Sequence, residues 1–295
     1  KETTGAVSFM DFFSYITGLI GQEGRRGALM ISIDCNHPDL IEFINLKSQK
    51  DICTKANISV RVSDKFMQAV LNDEDYTLHY YRPEGNQTIE KTIKAKEIFH
   101  LLALRNWEWA EPGILYWDRI QGYNLLDNTG FKYAGVNPCA EEPLPAGGSC
   151  LLGSINLSEF VINPFTNNAK IDYEALEETT SIAIVGLNQV LIEGLNFHPL
   201  KEQQETVRSL RQIGLGTLGL ADMLIKLGIT YGSDESINTI KEVYKTIATM
   251  AIKQSLELAK SHGCYPVCDK DKLVESNFIK NLKLDETTLN EIKEY

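Results

Sequence analysis

Three residues that could do chemistry together lie within five positions near the middle of the chain. Cys139 supplies a thiol, Glu141 a carboxylate and Asn137 an amide. If this segment is locally extended, side chains two residues apart point to the same side, and all three would face one small molecule. A single cysteine is more often a small buried hydrophobe, so it is the neighbouring carboxylate and amide that favour a site. A second cysteine, Cys150, follows eleven residues later.

The segment that carries these residues is rich in prolines and glycines. They are Pro138, Pro143, Pro145, Gly147 and Gly148. Their density makes a regular helix or a central strand improbable and predicts a shaped loop that presents its side chains. Loops of this kind often carry function.

The composition is that of an ordinary globular protein with a substantial core. The 295 residues are 43% hydrophobic, enough for one large domain or two smaller ones. The formal net charge of -11 argues against a surface that holds a nucleic-acid backbone. Six cysteines are too sparse for a disulfide scaffold, and no leader or long apolar run is visible. The sequence therefore predicts a soluble cytoplasmic protein that binds neither nucleic acid nor membrane.

Hydrophobic spacing predicts alternating helices and strands in the first half of the chain. The expected elements are a helix at 8–20, a strand at 28–33, a helix at 37–47, a strand at 57–62, a further helix with Ser63 as its N-cap, a hairpin around 83–86, a helix at 94–107 and a short strand or loop at 113–117.

The second half is predicted to be more helical. A strand at 151–160 precedes helices at 173–193, 202–211 and 235–262. The last helix carries an apolar stripe that is expected in the core, formed by Ile237, Ile240, Tyr244, Ile247 and Ala251. A single α/β domain with a barrel-like or layered sheet is the simplest architecture.

Both ends of the chain suggest part of a longer protein. The sequence opens at Lys1 without a methionine, and residues 284–295 form a polar stretch with no visible stop signal. We expect missing residues to complete the site.

A glycine-rich run supplies a rival functional interpretation. Residues 214–219 match the dinucleotide fingerprint G-x-G-x-x-G, and Asp234 lies at a suitable distance for a ribose contact. The fingerprint requires an apolar strand immediately before it, whereas residues 207–212 are charged and helical in period. Close packing of a following helix at 218–227 is the favoured role of these glycines.

Two further motifs favour structural interpretations. Glu97 and His100 have the Glu-x-x-His spacing of di-iron bundles, but one copy is insufficient and His100 is expected at the surface. Cys264 and Cys268 are separated by three residues with no second Cys or His pair behind them, so no metal site is predicted.

The loop 137–141, followed by Cys150 in its Ser-Ile-Asn-Leu context, resembles the active-site loop of the large catalytic subunit of ribonucleotide reductase. The similarity extends over most of the chain through the segments 8–10, 25–28, 37–39, 42–44, 57–60, 211–216 and 219–222.

This resemblance implies a fold and a set of roles. The fold would be part of a ten-stranded α/β barrel with a central finger loop, residues 1–295 forming a partial barrel without an ATP-cone domain or the C-terminal half-barrel. Cys139 would become a transient thiyl radical that takes hydrogen from C3′ of the ribose. Glu141 would accept the 3′-hydroxyl proton, which partial burial of its carboxylate would assist. Asn137 would hold the ribose hydroxyls, and Cys150 would be one member of the reducing cysteine pair.

The other reducing cysteine of the family belongs to an earlier strand. Neither Cys35 nor Cys53 lies in the matching context, and both are expected to be ordinary buried thiols. The chain is therefore not expected to turn over alone.

The same resemblance implies cofactors and partners. Arg25 and Arg26 lie where the family senses ATP or deoxynucleotide effectors, although a solvated turn is an equally good interpretation of either arginine. The sequence looks more like the adenosylcobalamin-dependent branch; the alternative is a radical delivered by a separate metallo-subunit. A ribonucleotide substrate, a thioredoxin-like reductant and a homodimer of the full-length protein are also implied.

Two alternatives to the reductase remain at this point. One is a nucleotide-binding regulatory module that keeps the fold without the chemistry, against which the intact Asn137, Cys139, Glu141 and Cys150 argue. The other is an NAD-dependent dehydrogenase that uses Gly214–Gly219.

Overall fold

The computed structural model describes residues 5–20, 27–49, 51–83, 85–126 and 129–295. Over these residues the protein is a mixed α/β structure. The chain divides into two compact units, where the sequence suggested a single domain. Unit 1 comprises Lys1–Gly122 and Gly135–Pro143, and unit 2 comprises Tyr123–Ala134 and Leu144–Tyr295.

Unit 1 alternates helices and strands in the predicted order. Its elements are α1 (Gly5–Leu19), β1 (Leu29–Asp34), α2 (Leu40–Asn45), a 3-10 turn (Leu46–Ser48), β2 (Ala56–Val62), α3 (Asp64–Asn72), β3 (Asp75–Arg82), β4 (Gln87–Lys94), α4 (Ala95–Trp109), β5 (Gly113–Tyr116) and α5 (Trp117–Gly122).

A parallel three-stranded sheet, in the order β1-β2-β5, organises unit 1. In β2 the consecutive residues Ile58, Ser59 and Val60 are all buried, as expected for a strand covered on both faces. The predicted hairpin is β3 and β4, which pair antiparallel. The predicted cap is confirmed: the Ser63 hydroxyl accepts a hydrogen bond of 3.1 Å from the Phe66 amide at the start of α3.

Two short strands, β6 (Tyr133–Val136) and β7 (Pro143–Pro145), flank residues 137–142. Those six residues are neither helix nor strand. The predicted shaped loop is therefore confirmed.

Unit 2 is mainly helical. Its elements are β8 (Leu151–Asn156), a 3-10 helix (Leu157–Phe160), β9 (Val161–Ile162), β10 (Lys170–Ile171), α6 (Tyr173–Gly194), a 3-10 turn (Leu195–Phe197), α7 (Lys201–Leu210), β11 (Ile213–Leu218), α8 (Leu220–Leu227), α9 (Asp234–His262), α10 (Lys270–Glu275), α11 (Asn277–Leu282) and α12 (Glu286–Glu294).

The longer of the two sheets described in unit 2 is a parallel pair of β8 and β11, with helices α6 and α9 packed together beside it, and β9 and β10 form a short antiparallel pair. Its core contains Ile155, Leu157, Leu176, Met223, Leu224, Val243 and Ile247. No strand set in the described part of the chain closes into a barrel.

Three sequence predictions for unit 2 need correction. The strand expected at 151–160 stops at Asn156, because the Asn156 side chain accepts a hydrogen bond from the Ser158 amide and turns the chain into a 3-10 helix. The polar stretch 284–295 contains α12, capped by Asp285 and anchored through the buried Ile292.

The third correction concerns the apolar stripe of α9. Ile247 is buried as predicted, but Ile237 and Tyr244 are more than 40% exposed. The buried face is rotated toward Val243 and Leu256, the positions that face the unit's apolar clusters.

One helix among the described residues, Tyr173–Phe197, is long and apolar enough to cross a membrane by length and composition alone. Core helices pass the same test. This one packs against α9 and β8 and buries Leu176 and Ile184.

Candidate active site

The Cys139 loop is built around a tight turn. The Ala140 amide donates to the Asn137 carbonyl at 2.9 Å, so residues 137–140 form a β-turn with Pro138 and Cys139 at its centre. Proline suits the second position of such a turn because its ring fixes φ near the required value. Ala140, the last residue of the turn, adopts a positive φ of 68°. Cys139 is thus held at the tip of a short, defined backbone structure.

Asn137 closes the loop with both its backbone and its side chain. Its amide donates to the Glu142 carbonyl at 3.1 Å, and its Oδ1 accepts from the Glu142 amide at 3.0 Å. Since the side-chain oxygen is engaged inside the loop, the Asn137 side-chain nitrogen is the atom left to donate outward.

This turn corrects one premise of the sequence analysis. Residues 137–141 are not locally extended, so a common direction of Asn137, Cys139 and Glu141 does not follow from alternation along a strand. Cys139 and Glu141 are both exposed, and Asn137 is half-buried. Partial burial of Glu141 is not observed. The turn still keeps the thiol, the carboxylate and the amide on one six-residue loop.

A residue that sequence reasoning did not connect to the loop contacts it directly. The Asn57 side-chain nitrogen, on β2, donates to the Pro138 carbonyl at 2.7 Å. The two residues are 81 positions apart. Nothing in the local sequence of either residue signals this hydrogen bond.

Cys150 lies in unit 2, immediately before β8. It is half-buried, and its thiol lies 3.9 Å from the Leu151 carbonyl, a weak contact. Its predicted redox role stays a prediction. Arg25 and Arg26, the predicted effector-loop residues, lie outside the described residues.

Cys35 and Cys53 are buried thiols, as predicted. Burial raises the pKa of the Cys53 thiol. The Cys35 sulfur lies 3.4 Å from the Tyr76 hydroxyl, and burial together with that contact raises the pKa of Tyr76 far above its usual value. The raised pKa favours the protonated, unreactive form of the Cys53 thiol.

The glycine run does not have the placement of a dinucleotide fingerprint. Gly214 and Gly216 lie inside β11, and only Gly219 occupies a turn before a helix. A Cβ on Gly219 would lie 2.3 Å from Asn156 Oδ1, and the residue has a φ of 73°. Close packing is thus the role of Gly219, as the sequence indicated. The preceding segment is helix α7, not the strand that a fingerprint needs.

The other two motifs lie as expected for structural or surface residues. Glu97 and His100 are both exposed on α4. Cys264 and Cys268 are half-buried. Cys264 directly precedes a turn that ends at Cys268, whose amide donates to the Tyr265 carbonyl at 3.1 Å. Burial raises the pKa of the Cys268 thiol, and the adjacent Cys264 thiol adds to this.

Unit 2 also contains an apolar pocket of about 500 Å³ that is partly open to solvent. It is lined mainly by α9 and by the segment after it, including Tyr244, Cys264 and Cys268, and Cys150 does not line it. Its walls offer little polar chemistry, so we do not place the site there.

Comparison with known proteins gives a consistent family match. Residues 1–291 match the family described as "Ribonucleotide reductase, barrel domain". The vitamin B12-dependent ribonucleoside-diphosphate reductase of Thermoplasma acidophilum is 39% identical over 265 residues, which is 89% of this chain and 33% of that protein. The protein of the same name from Mycobacterium tuberculosis is 31% identical over 283 residues, 95% of this chain and 39% of that protein.

The chain is also similar to a protein whose name does not mention vitamin B12. The ribonucleoside-diphosphate reductase large chain of Cryptosporidium parvum is 27% identical over 293 residues, covering 90% of this chain and 36% of that protein. The chain thus spans about a third of the length of the curated relatives that it matches.

Proposed function

Because the chain belongs to the ribonucleotide reductase family, through the barrel domain of the large subunit, we propose that it carries the substrate chemistry of a reductase that converts ribonucleotides to deoxyribonucleotides. The observation that supports this most directly is the exposed Cys139 thiol, held at the tip of a hydrogen-bonded turn. An exposed thiol on a fixed backbone can meet a substrate at a defined distance.

In the proposed reaction the chain's own residues act on one ribose. A sulfur radical at Cys139 takes the hydrogen atom from C3′. Glu141 accepts the proton of the 3′-hydroxyl as general base, and the 2′-hydroxyl takes a proton from one of the two reducing thiols and leaves as water. The side-chain nitrogen of Asn137, whose Oδ1 is engaged by the Glu142 amide, donates hydrogen bonds to the ribose hydroxyls.

Two thiols supply the two electrons of the reduction and become a disulfide, one of their hydrogens going to the departing water and the other to C2′. Cys139 then returns its hydrogen atom to C3′, and Glu141 returns the proton to the 3′ oxygen. We assign Cys150 to this pair, with its partner in a part of the protein beyond this chain. A thioredoxin-like dithiol would return the disulfide to thiols.

We further propose that the two parallel sheet segments belong to a ten-stranded α/β barrel, of which residues 1–295 form a part. The support is local: β1, β2 and β5 are parallel, as are β8 and β11. The Cys139 loop would be the finger at the centre of that barrel.

Adenosylcobalamin is the proposed radical source, since the most similar proteins described above carry vitamin B12 in their names. Among the described residues, the exposed Cys139 thiol suits this cofactor because it offers a hydrogen atom that a radical can take. When bound, the cofactor would supply a radical.

The remaining proposals follow from the family. They are a cytoplasmic location, a homodimer of the full-length protein, and regulation by ATP or deoxynucleotides through the loop that contains Arg25 and Arg26.

The test is deoxynucleotide formation by the complete gene product, with a ribonucleotide and a dithiol reductant. We expect product only when adenosylcobalamin is added, and none from Cys139→Ser. Product without added cobalamin would reject the proposed radical source. Product from Cys139→Ser would reject the proposed site, and no product even with a metallo-subunit from a related organism would reject the function.

A further inference from the structure

The hydrogen bond between Asn57 and Pro138 joins β2 to the Cys139 loop across unit 1. Its length, 2.7 Å between the Asn57 nitrogen and the Pro138 oxygen, is at the short end for such a bond. The acceptor is the carbonyl that directly precedes the Cys139 amide. The bond therefore acts on the peptide group that links Pro138 to Cys139.

That peptide group is the central one of the turn, and its orientation distinguishes the common turn types. Type I and type II turns differ by a flip of this peptide, and type II requires a positive φ at the third residue. Cys139, the third residue, is not among the residues with positive φ. The turn is therefore in the orientation that an L-residue tolerates, with the Pro138 oxygen facing Asn57. A flip would break the Asn57 hydrogen bond and swing the Cys139 side chain.

The donor is itself held on a braced backbone. Lys47 Nζ donates to the Ala56 carbonyl at 2.6 Å, on one side of Asn57. Glu111 Oε1 accepts from the Ile58 amide at 2.9 Å, on the other side. Lys47 and Glu111 also form an ion pair at 3.1 Å. Side chains from two other segments thus fix the peptide groups that flank Asn57.

We propose that Asn57 is a positioning residue for Cys139, holding the central peptide of its turn so that the thiol keeps one direction. The expected effect of Asn57 on catalysis rests on the proposed function. The effect of Asn57 on the direction of the Cys139 thiol does not depend on that function. Asn57 itself need not touch the substrate. Its effect is on how often the thiol lies in the reactive direction.

Two substitutions in the full-length protein test the contribution of the hydrogen bond between Asn57 and Pro138. Asn57→Ala removes the donor. Asn57→Asp keeps the size and shape but places an acceptor against the Pro138 carbonyl, which repels it. Asn72→Ala is the matched control, since Asn72 is also an exposed asparagine of unit 1 and donates at 3.0 Å to Glu74.

The first readout is the rate at which iodoacetamide modifies Cys139, followed by peptide mass spectrometry, with Cys150 as internal reference. For both Asn57 variants we expect the rate of Cys139 modification to change by about three- to tenfold. This is the factor that corresponds to the free energy of one neutral hydrogen bond. The Cys150 rate and the melting temperature should match those of Asn72→Ala.

The second readout is deoxynucleotide formation. We expect kcat to fall in the order wild type, Asn57→Ala, Asn57→Asp, with KM within twofold of the wild-type value. A Cys139 rate and a kcat within twofold of those of Asn72→Ala, for both Asn57 variants, would overturn the proposal, as would a loss carried by KM alone. If the wild-type protein makes no deoxynucleotide, the proposed function fails, while the alkylation rates still decide the role of Asn57.

Discussion

Lys47 and Glu111 form a half-buried ion pair in which each partner also binds the backbone at the start of β2. Lys47 Nζ lies 3.1 Å from Glu111 Oε2 and donates to the carbonyls of Cys53 and Ala56 at 2.7 and 2.6 Å. Glu111 accepts from the Ile58 amide. The pair therefore secures the start of the central strand of unit 1, the segment that bears Asn57.

Lys47→Met should destabilise unit 1 by about 2–4 kcal/mol, because it strips two backbone carbonyls of a charged donor and leaves the Glu111 carboxylate unpaired. Urea unfolding followed by circular dichroism would measure this. The control is Lys94→Met, since the Lys94–Asp75 pair is exposed and screened by solvent, so a much smaller loss is expected. Equal losses in the two variants would contradict the bracing role of Lys47.

A glycine series tests the packing role assigned to Gly219. Gly219→Ala should cost more than about 2 kcal/mol, since it combines a positive φ with a Cβ 2.3 Å from Asn156 Oδ1. Gly228→Ala shares the positive φ but meets no atom within 4 Å, so about 1 kcal/mol is expected. Gly186→Ala lies in open space within α6 and should stabilise by about 0.5–1 kcal/mol.

In thermal melts, Gly219→Ala should have the lowest melting temperature, Gly228→Ala an intermediate one and Gly186→Ala the highest. If Gly219→Ala melts no lower than Gly228→Ala, contact with Asn156 is not what excludes a side chain.

Sequence reasoning predicted unit 1 well because its signals are local. The Ser63 cap, the hairpin turn after Arg82 and the apolar run of β2 each determine their own element. The shaped loop at 137–142 was also predictable, since its prolines and glycines exclude regular structure.

The features that sequence reasoning missed depend on contacts between residues that are far apart in the sequence. The contact of Asn57 with Pro138 joins residues 81 positions apart, and no periodicity records such a pairing. In α9 the apolar residues spread around much of the helix, so only the packing of unit 2 selects Val243 over Tyr244 for burial. Helix α12 was missed because a mostly polar segment is anchored by few buried side chains, among them Ile292.

The Cys268 thiol should ionise at a higher pH than a free cysteine. Burial disfavours its thiolate and raises its pKa, and the neighbouring Cys264 thiol acts in the same direction. The pH profile of its alkylation should therefore lie above that of N-acetylcysteine. The same shift gives a stability contribution that is complete below the ordinary thiol pKa and is lost as the pH rises through the raised value.

Mass spectrometry of iodoacetamide-treated protein between pH 7 and 10 would give this profile, and its midpoint, unlike its amplitude, is insensitive to steric hindrance. A midpoint at or below that of N-acetylcysteine would show that burial does not control this thiol.

Replacement of Glu141 tests its proposed role as general base. Glu141→Gln keeps the size of the exposed side chain but cannot accept a proton, so kcat of the full-length reductase should fall by about 10²–10⁴-fold with KM little changed. Glu142→Gln is the matched control, because the loop bonds of Glu142 to Asn137 use its backbone and survive the substitution. Deoxynucleotide formation at saturating ribonucleotide would measure both variants. If Glu141→Gln keeps a kcat within threefold of that of Glu142→Gln, the proton is accepted by another group, and the catalytic assignment on this loop reduces to Cys139 and Asn137.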